Sequence, residues 1–197
     1  MAYTSRDTVK EWLSIPDATD SEDSAIDDAI AAAEARIDQW AGRTFVVPSA
    51  VSTRDVAPWS DRLVVLPADV AQITDMVVKE DTTGDGVFDA TLAAGDWYLG
   101  PGDEAPFTRL VRTSGRWHVS RYSQRTVHVE AWFGYAMAVP DPIVQAATML
   151  AGRLYQRRSS PLGFQTGLSP DMGEVRVSRI DHDVASLLAG YRVPAVA

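Results

Sequence analysis

The chain has 197 residues, 46% hydrophobic and 23% charged, with 27 acidic against 18 basic side chains and a formal net charge of −9 at pH 7. That length can bury a core without a covalent staple, as one domain or two small ones. The absence of cysteine excludes disulfides, thiolate nucleophiles and sulfur-ligated zinc, and the acidic balance opposes nonspecific nucleic-acid binding.

Met1 to Ser5 offers neither the basic nor the apolar region of a secretory signal, and no apolar run reaches membrane-spanning length. Thr4 and Asp7 suggest a capping box for a short helix with Val9, Trp12 and Leu13 on one face, closed by Ile15-Pro16. Asp17, Asp20, Glu22, Asp23, Asp27 and Asp28 fall in the approach and first turns of the next helix, where negative charge favours the helix dipole. The spacing of Ile26, Ile30, Ala33, Ile37 and Trp40 predicts that helix from about Ser24 to Ala41, with Gly42 at its C-cap. Ala31, Ala32 and Ala35 leave its other face small. Strand character begins at Arg43 to Val47.

From about residue 44 to 135 the periods are short. Leu63 to Leu66, Ile73 to Lys79, Trp97 to Leu99, Arg109 to Arg112, Trp117 to Ser120 and Thr126 to Phe133 read as strands, with turns at Asp85-Gly86, Pro101-Gly102 and Ser114-Gly115. A small antiparallel sheet or sandwich fits these better than an α/β fold. Asp141-Pro142 then opens a long helix with Ile143, Ala147, Leu150 and Leu154 inward, ending near Arg157-Arg158. A Gly/Pro-rich arm follows, then a short extended piece from Glu174 to Ser178. A last helix from Asp181 to Tyr191 and a loose tail complete the chain.

Asp81, Thr83, Asp85 and Asp89, with Gly86 at the sixth position, match the first part of an EF-hand calcium loop. Leu92 stands where the bidentate Glu belongs, and the flanks read as strands. These departures favour an acidic hairpin turn ordered by Asx hydrogen bonds, with a weak cation site at those four residues as the alternative. The histidines, His118, His128 and His182, have no convincing ligand set, although the first two fall in neighbouring strand candidates. No phosphate-binding glycine loop, Gly-x-Ser-x-Gly or His-Glu-x-x-His occurs, so neither a catalytic residue nor a cofactor is expected. Arg153, Arg157 and Arg158 form a local basic exception near a helix C-terminus, either a solvated helix end or a contact for an acidic partner. Leu162 and Phe164 lie just beyond, flanked by Pro161 and Gly163.

In order along the chain, Ala33 to Phe45 (with Trp40-Ala41-Gly42-Arg43-Thr44-Phe45 at its end), Gly134-Tyr135, Val139-Pro140 and the helix to Arg158, Val177 to Asp181, and Leu187 to Arg192 resemble the head–tail adaptor, or connector, proteins of long-tailed bacteriophages and related gene-transfer particles. The resemblance implies an α+β fold, a helical core with an inserted antiparallel β-rich region. It divides the chain into an N-terminal helical part (1–43), the β-rich insertion (44–135) and C-terminal helices, arm and tail (136–197). It also implies a ring, usually of twelve copies, beneath the portal ring at the head–tail junction of a virion or gene-transfer particle, made in the bacterial host cytoplasm. Partners would be the portal, neighbouring adaptor copies and a stopper or tail protein, with DNA passing through without specific binding and no membrane involved. Carried onto this chain, Arg153, Arg157, Arg158, Leu162, Phe164, Tyr191 and Arg192 become interface candidates. The family has no catalytic residues to transfer. The competing function is a β-rich binding module braced by calcium at Asp81, Thr83, Asp85 and Asp89.

Overall fold

The computed structural model describes residues 2–16, 20–120, 122, 124–158 and 182–193. It is an α+β fold in two compact units, one drawn from the described residues within Met1–Thr44 and Val139–Ala197, the other from Phe45–Ala138. The first is the helical core and the second an inserted antiparallel β structure.

The helical unit contains α1 (Arg6–Leu13), α2 (Asp23–Ala41), α3 (Asp141–Arg157) and α4 (His182–Leu188), the last continued by a 3₁₀ turn over Ala189–Tyr191. Ser5, rather than Thr4, caps α1: its hydroxyl accepts the Thr8 N–H at 3.1 Å. Thr4 is instead buried against Thr148 of α3, with the two hydroxyls 2.7 Å apart. A hydroxyl can serve a tertiary partner as readily as a helix end, so the capping pattern was displaced by one residue. Likewise Pro140 is the N-cap of α3 and Asp141 its first helical residue. Gly42 ends α2 as expected, in the left-handed conformation at φ 69°, with its N–H bonded to the Asp38 carbonyl.

Val9, Ile26, Ile30, Ala33 and Ala151 form the buried centre shared by α1, α2 and α3. Small residues let the helices close together, most tightly at Gly152, where a Cβ would overlap the indole of Trp12. Alanine normally favours a helix interior over glycine by about 1 kcal/mol. Here Gly152→Ala should instead lower the chemical-denaturation midpoint, because the ring must move and overpacking costs roughly 1–3 kcal/mol. In a Trp12→Ala background the same substitution should become stabilising. An unchanged sign in that background would show that the ring is not what Gly152 accommodates.

The acidic run before α2 also has tertiary partners. Arg6 pairs with Asp23 and Asp27, each at 2.5 Å, and Lys10, only 3% exposed, reaches Asp23 at 2.6 Å. The hydrogen bond from Lys10 holds the Asp23 carboxyl below its ordinary range, and that from Arg6 does the same for Asp27. Near the other end of α2, Tyr3 donates its backbone N–H to Glu34 and its hydroxyl to Asp38.

The β unit holds β1 (Ser52–Val56), β2 (Leu63–Val70), β3 (Val77–Glu80), β4 (Ala90–Thr91), β5 (Trp97–Gly100), β6 (Phe107–Arg112) and β7 (Val127–Ala131). They form a four-stranded sheet, β1-β7-β3-β4, and a three-stranded sheet, β2-β6-β5, with every pairing antiparallel. Val64, Leu66, Leu99 and Leu110 from one sheet and Val78, Val127 and Val129 from the other share a core with Trp97, Phe107 and Trp117. Alternation explains this: one face of each strand turns inward and the next residue outward. β2 shifts register between Val65 and Val70, around Pro67, which cannot donate to a ladder. Beyond that shift Val70 bridges Phe133, Ala71 donates to the Trp132 carbonyl and Asp69 accepts from Gly134 N–H, so one long strand connects both sheets.

Several strand expectations are corrected. β1 was not anticipated, while 44–48 carry no strand and residues 73–76 hold a turn before β3 begins. Trp117 to Ser120 is not a strand either. There Trp117 N–H bonds the Asp61 carbonyl and His118 N–H bonds the Glu80 carboxylate, replacing a ladder with individual bonds.

Candidate functional site

The turn from Asp81 to Asp89 joins β3 to β4 and is built around one carboxylate. Asp81 is 2% exposed. Its Oδ1 accepts from Thr83 N–H at 3.2 Å and Gly84 N–H at 2.6 Å, and its Oδ2 accepts from Gly86 N–H at 2.8 Å. Gly84 and Gly86 supply the positive φ values, 79° and 89°, that aim those donors inward. Burial pushes the Asp81 carboxyl up, but the N–H donors of Gly86, Gly84, Thr83 and Asp85 outweigh it and hold it below its ordinary range. Asp89 accepts from the backbone N–H and hydroxyl of Thr82, and Asp85 from Val87 N–H. Each acid thus engages the backbone or side chains of its own turn. Among the described residues no group of three His, Asp or Glu is placed to hold a metal ion.

His118 and His128 are not on neighbouring strands, since His118 lies in the β6–β7 connection. Its carbonyl accepts the Thr126 hydroxyl, while its ring lies against Gly84. His128 sits on β7, with Nδ1 2.6 Å from Asp55, Nε2 3.3 Å from Glu130, and Phe88 tilted across its ring. His182 opens α4 and is exposed.

The basic cluster on α3 divides. Arg158 pairs with Glu22 and lies over the Tyr155 ring, and the Tyr155 hydroxyl donates to the same carboxylate at 2.7 Å. The Tyr155 and Arg158 donors together keep Glu22 below its ordinary range, and the Glu22 carboxylate raises Tyr155. Arg153 points toward Asp183 of α4 at 3.8 Å, while Arg157 is exposed on the last turn. Tyr191 is half-buried in the terminal 3₁₀ turn, and Arg192 lies over the Trp40 ring at 5.9 Å. Leu162 and Phe164 lie outside the described residues. Arg153, Arg157 and Arg158 therefore share a helix end, with the guanidinium of Arg158 directed to an internal partner 136 positions away.

Sequence reasoning overlooked the outward face of the three-stranded sheet. Register aligns Leu63, Val111 and Tyr98 in one row and Val65 and Arg109 in the next. Tyr98 is 52% exposed and Val65 46%, while Val64, Leu99 and Leu110 on the other face are buried. The missed signal was Leu63-Val64-Val65-Leu66 itself. An uninterrupted apolar run fits a strand covered on both sides better than one with a solvated face.

No protein-family model and no curated protein matches this chain by sequence. Solved structures do match it. A chain of the neck of an empty GTA particle, computed with C6 symmetry, is 20% identical with a TM-score of 0.62 over 97% of this chain and 90% of that one. A chain of the neck of a native GTA particle, computed with C12 symmetry, is 20% identical with a TM-score of 0.55 over 90% and 87%. A chain of the virion of the native gene transfer agent (GTA) particle is 22% identical with a TM-score of 0.57 over 97% and 89%. The helical core with its β insertion is thus, nearly end to end, a fold found in the neck and virion of gene transfer agent particles.

Proposed function

We propose that this chain is a structural head–tail adaptor. Copies assemble as a ring beneath the portal at the head–tail junction, extend the DNA channel and present a docking surface to a stopper or tail protein. The observation carrying this reading is the end-to-end fold likeness to neck chains, which includes both the helical core and the β insertion. The residues of the resemblance also have specific work in the fold. Gly42 terminates α2, Phe45 is buried with its ring 5.0 Å from that of Tyr135, and a Cβ at Gly134 would lie 2.8 Å from Pro48.

The role is mechanical, joining and channel continuation, with no reaction catalysed. The net charge of −9 suits it. A ring multiplies that charge, and a channel lined by its acids would discourage DNA from adhering during passage. The exposed Arg157, with Arg153 and Arg158 at the same helix end and Tyr191 and Arg192 at the terminal 3₁₀ turn, is the described part of the proposed portal or neighbour contact, and Leu162 and Phe164 complete that set.

Mass-resolved loading of the purified chain onto a purified cognate portal ring, across a range of salt concentrations, tests the proposal. About one copy bound per portal subunit is the expected result, with twelve copies for a twelve-fold portal. A folded chain that binds at no salt concentration would overturn the portal contact.

A further inference from the structure

We infer that the outward face of the three-stranded sheet is the contact with the next copy in the ring, which receives it on the outward face of its four-stranded sheet. The inference rests on the adaptor reading, because a closed ring requires a heterologous interface with two different surfaces on every copy. The β unit supplies two such surfaces on opposite sides of one sandwich.

The first surface is Leu63, Val65, Tyr98 and Val111 with Arg109 among them. Isolated exposed apolar residues are ordinary, but these are contiguous across three strands and contain no acid. Tyrosine and arginine beside aliphatic side chains also match the composition of interface centres. The Leu63–Leu66 run calls for a cover on this side, and among the described residues Val64 and Leu66, on the other side, are the ones buried.

The second surface carries the opposite charge. Register places Asp55, His128 and Lys79 in one outward row, and Thr53, Glu130 and Val77 in the next. Lys79 is paired with Glu130 at 2.8 Å, and Asp55 holds the His128 ring. The carboxylates of Asp55 and Glu130 outnumber the one lysine of these rows and are complementary to Arg109. Stacking sandwich beside sandwich therefore covers Tyr98 and Val65 while bringing Arg109 toward Asp55 and Glu130 of the neighbour.

The chain is free of cysteine, so single cysteines report this contact selectively. Full-length Tyr98→Cys and Thr53→Cys chains, distinguished by mass, are mixed and treated with a short bismaleimide, both free in solution and loaded on the portal ring. The expected product joins one chain of each kind, and a chain carrying both substitutions should give a ladder of linked copies. Tyr98→Cys chains that link mainly to each other would indicate a face-to-face pair and overturn the inference. So would absence of links on portals carrying a full complement of copies, and in that case the adaptor reading stands. Failure of the wild-type chain to load removes the adaptor reading and this inference with it. Tyr98→Asp, with its fold checked by circular dichroism, should weaken neighbour-dependent loading by about tenfold or more. Unchanged loading cooperativity would count against the face.

Discussion

Glu80→Ala should destabilise the β unit by about 3 kcal/mol or more, the usual result of removing one member of a buried ion pair. Glu80 is 3% exposed at the end of β3. Its Oε2 accepts from the Arg112 guanidinium at 3.0 Å, and its Oε1 accepts from His118 N–H at 2.7 Å. Arg112, on β6 of the other sheet, also donates to the Ser114 carbonyl and lies 4.8 Å over the Trp117 ring. Alanine would leave a guanidinium and a backbone N–H without their acceptor in a region from which water is largely excluded. Glu80→Gln retains an acceptor for His118 but loses the charge, so it should cost less.

The double variant Glu80→Leu, Arg112→Leu should be less damaged than the sum of its single variants, because no uncompensated charge remains. Guanidinium denaturation of the four chains, followed by near-ultraviolet circular dichroism, measures this cycle. Glu80→Ala within about 1 kcal/mol of wild type would mean that the pair is effectively solvated and does not join the sheets.

The helices were legible because their signals are local. The stripe from Ile26 to Trp40, glycine at 42 and proline at 142 each act within a turn or two, and α2 and α3 lie where those residues place them. The strands were less legible because pairing is not local. Ser52-Thr53-Arg54-Asp55-Val56 has little apolar content, and it is a strand because β7 supplies its ladder more than seventy positions away. Trp117 has the aromatic character of a strand residue and is indeed buried, but its backbone bonds to a loop. Charged residues show the same division. The Asp81 turn could be read because its partners lie two to five positions ahead, whereas the α3 arginines resembled a free basic patch because Glu22 lies at the other end of the helical unit's sequence.

Asp81→Ala should loosen the β3–β4 hairpin and lower the unfolding midpoint clearly, while calcium should leave the wild-type midpoint unchanged. Both expectations follow from the same geometry. The Asp81 oxygens already accept the N–H groups of Thr83, Gly84 and Gly86, and removing them strands three donors around a buried point. Asparagine is a poor substitute, because its amide nitrogen would face either Gly86 N–H or the Thr83 and Gly84 pair, donor against donor. Asp85→Ala should be much milder, since it removes only the bond to Val87 N–H. Hydrogen exchange at Gly84 and Gly86 locates the effect, with faster exchange expected in Asp81→Ala and little change in Asp85→Ala. The sign with pH also follows. A carboxyl held below its ordinary value of 3.8 stabilises the fold above that value and loses its contribution as the pH falls through the lower folded-state value. Asp81→Ala should therefore be less sensitive to acid than wild type over that range. A calcium-dependent rise in the wild-type midpoint that vanishes in Asp85→Ala would reverse the assignment: the loop would then open to present its acids outward, and the calcium-braced module would become the better account of this turn.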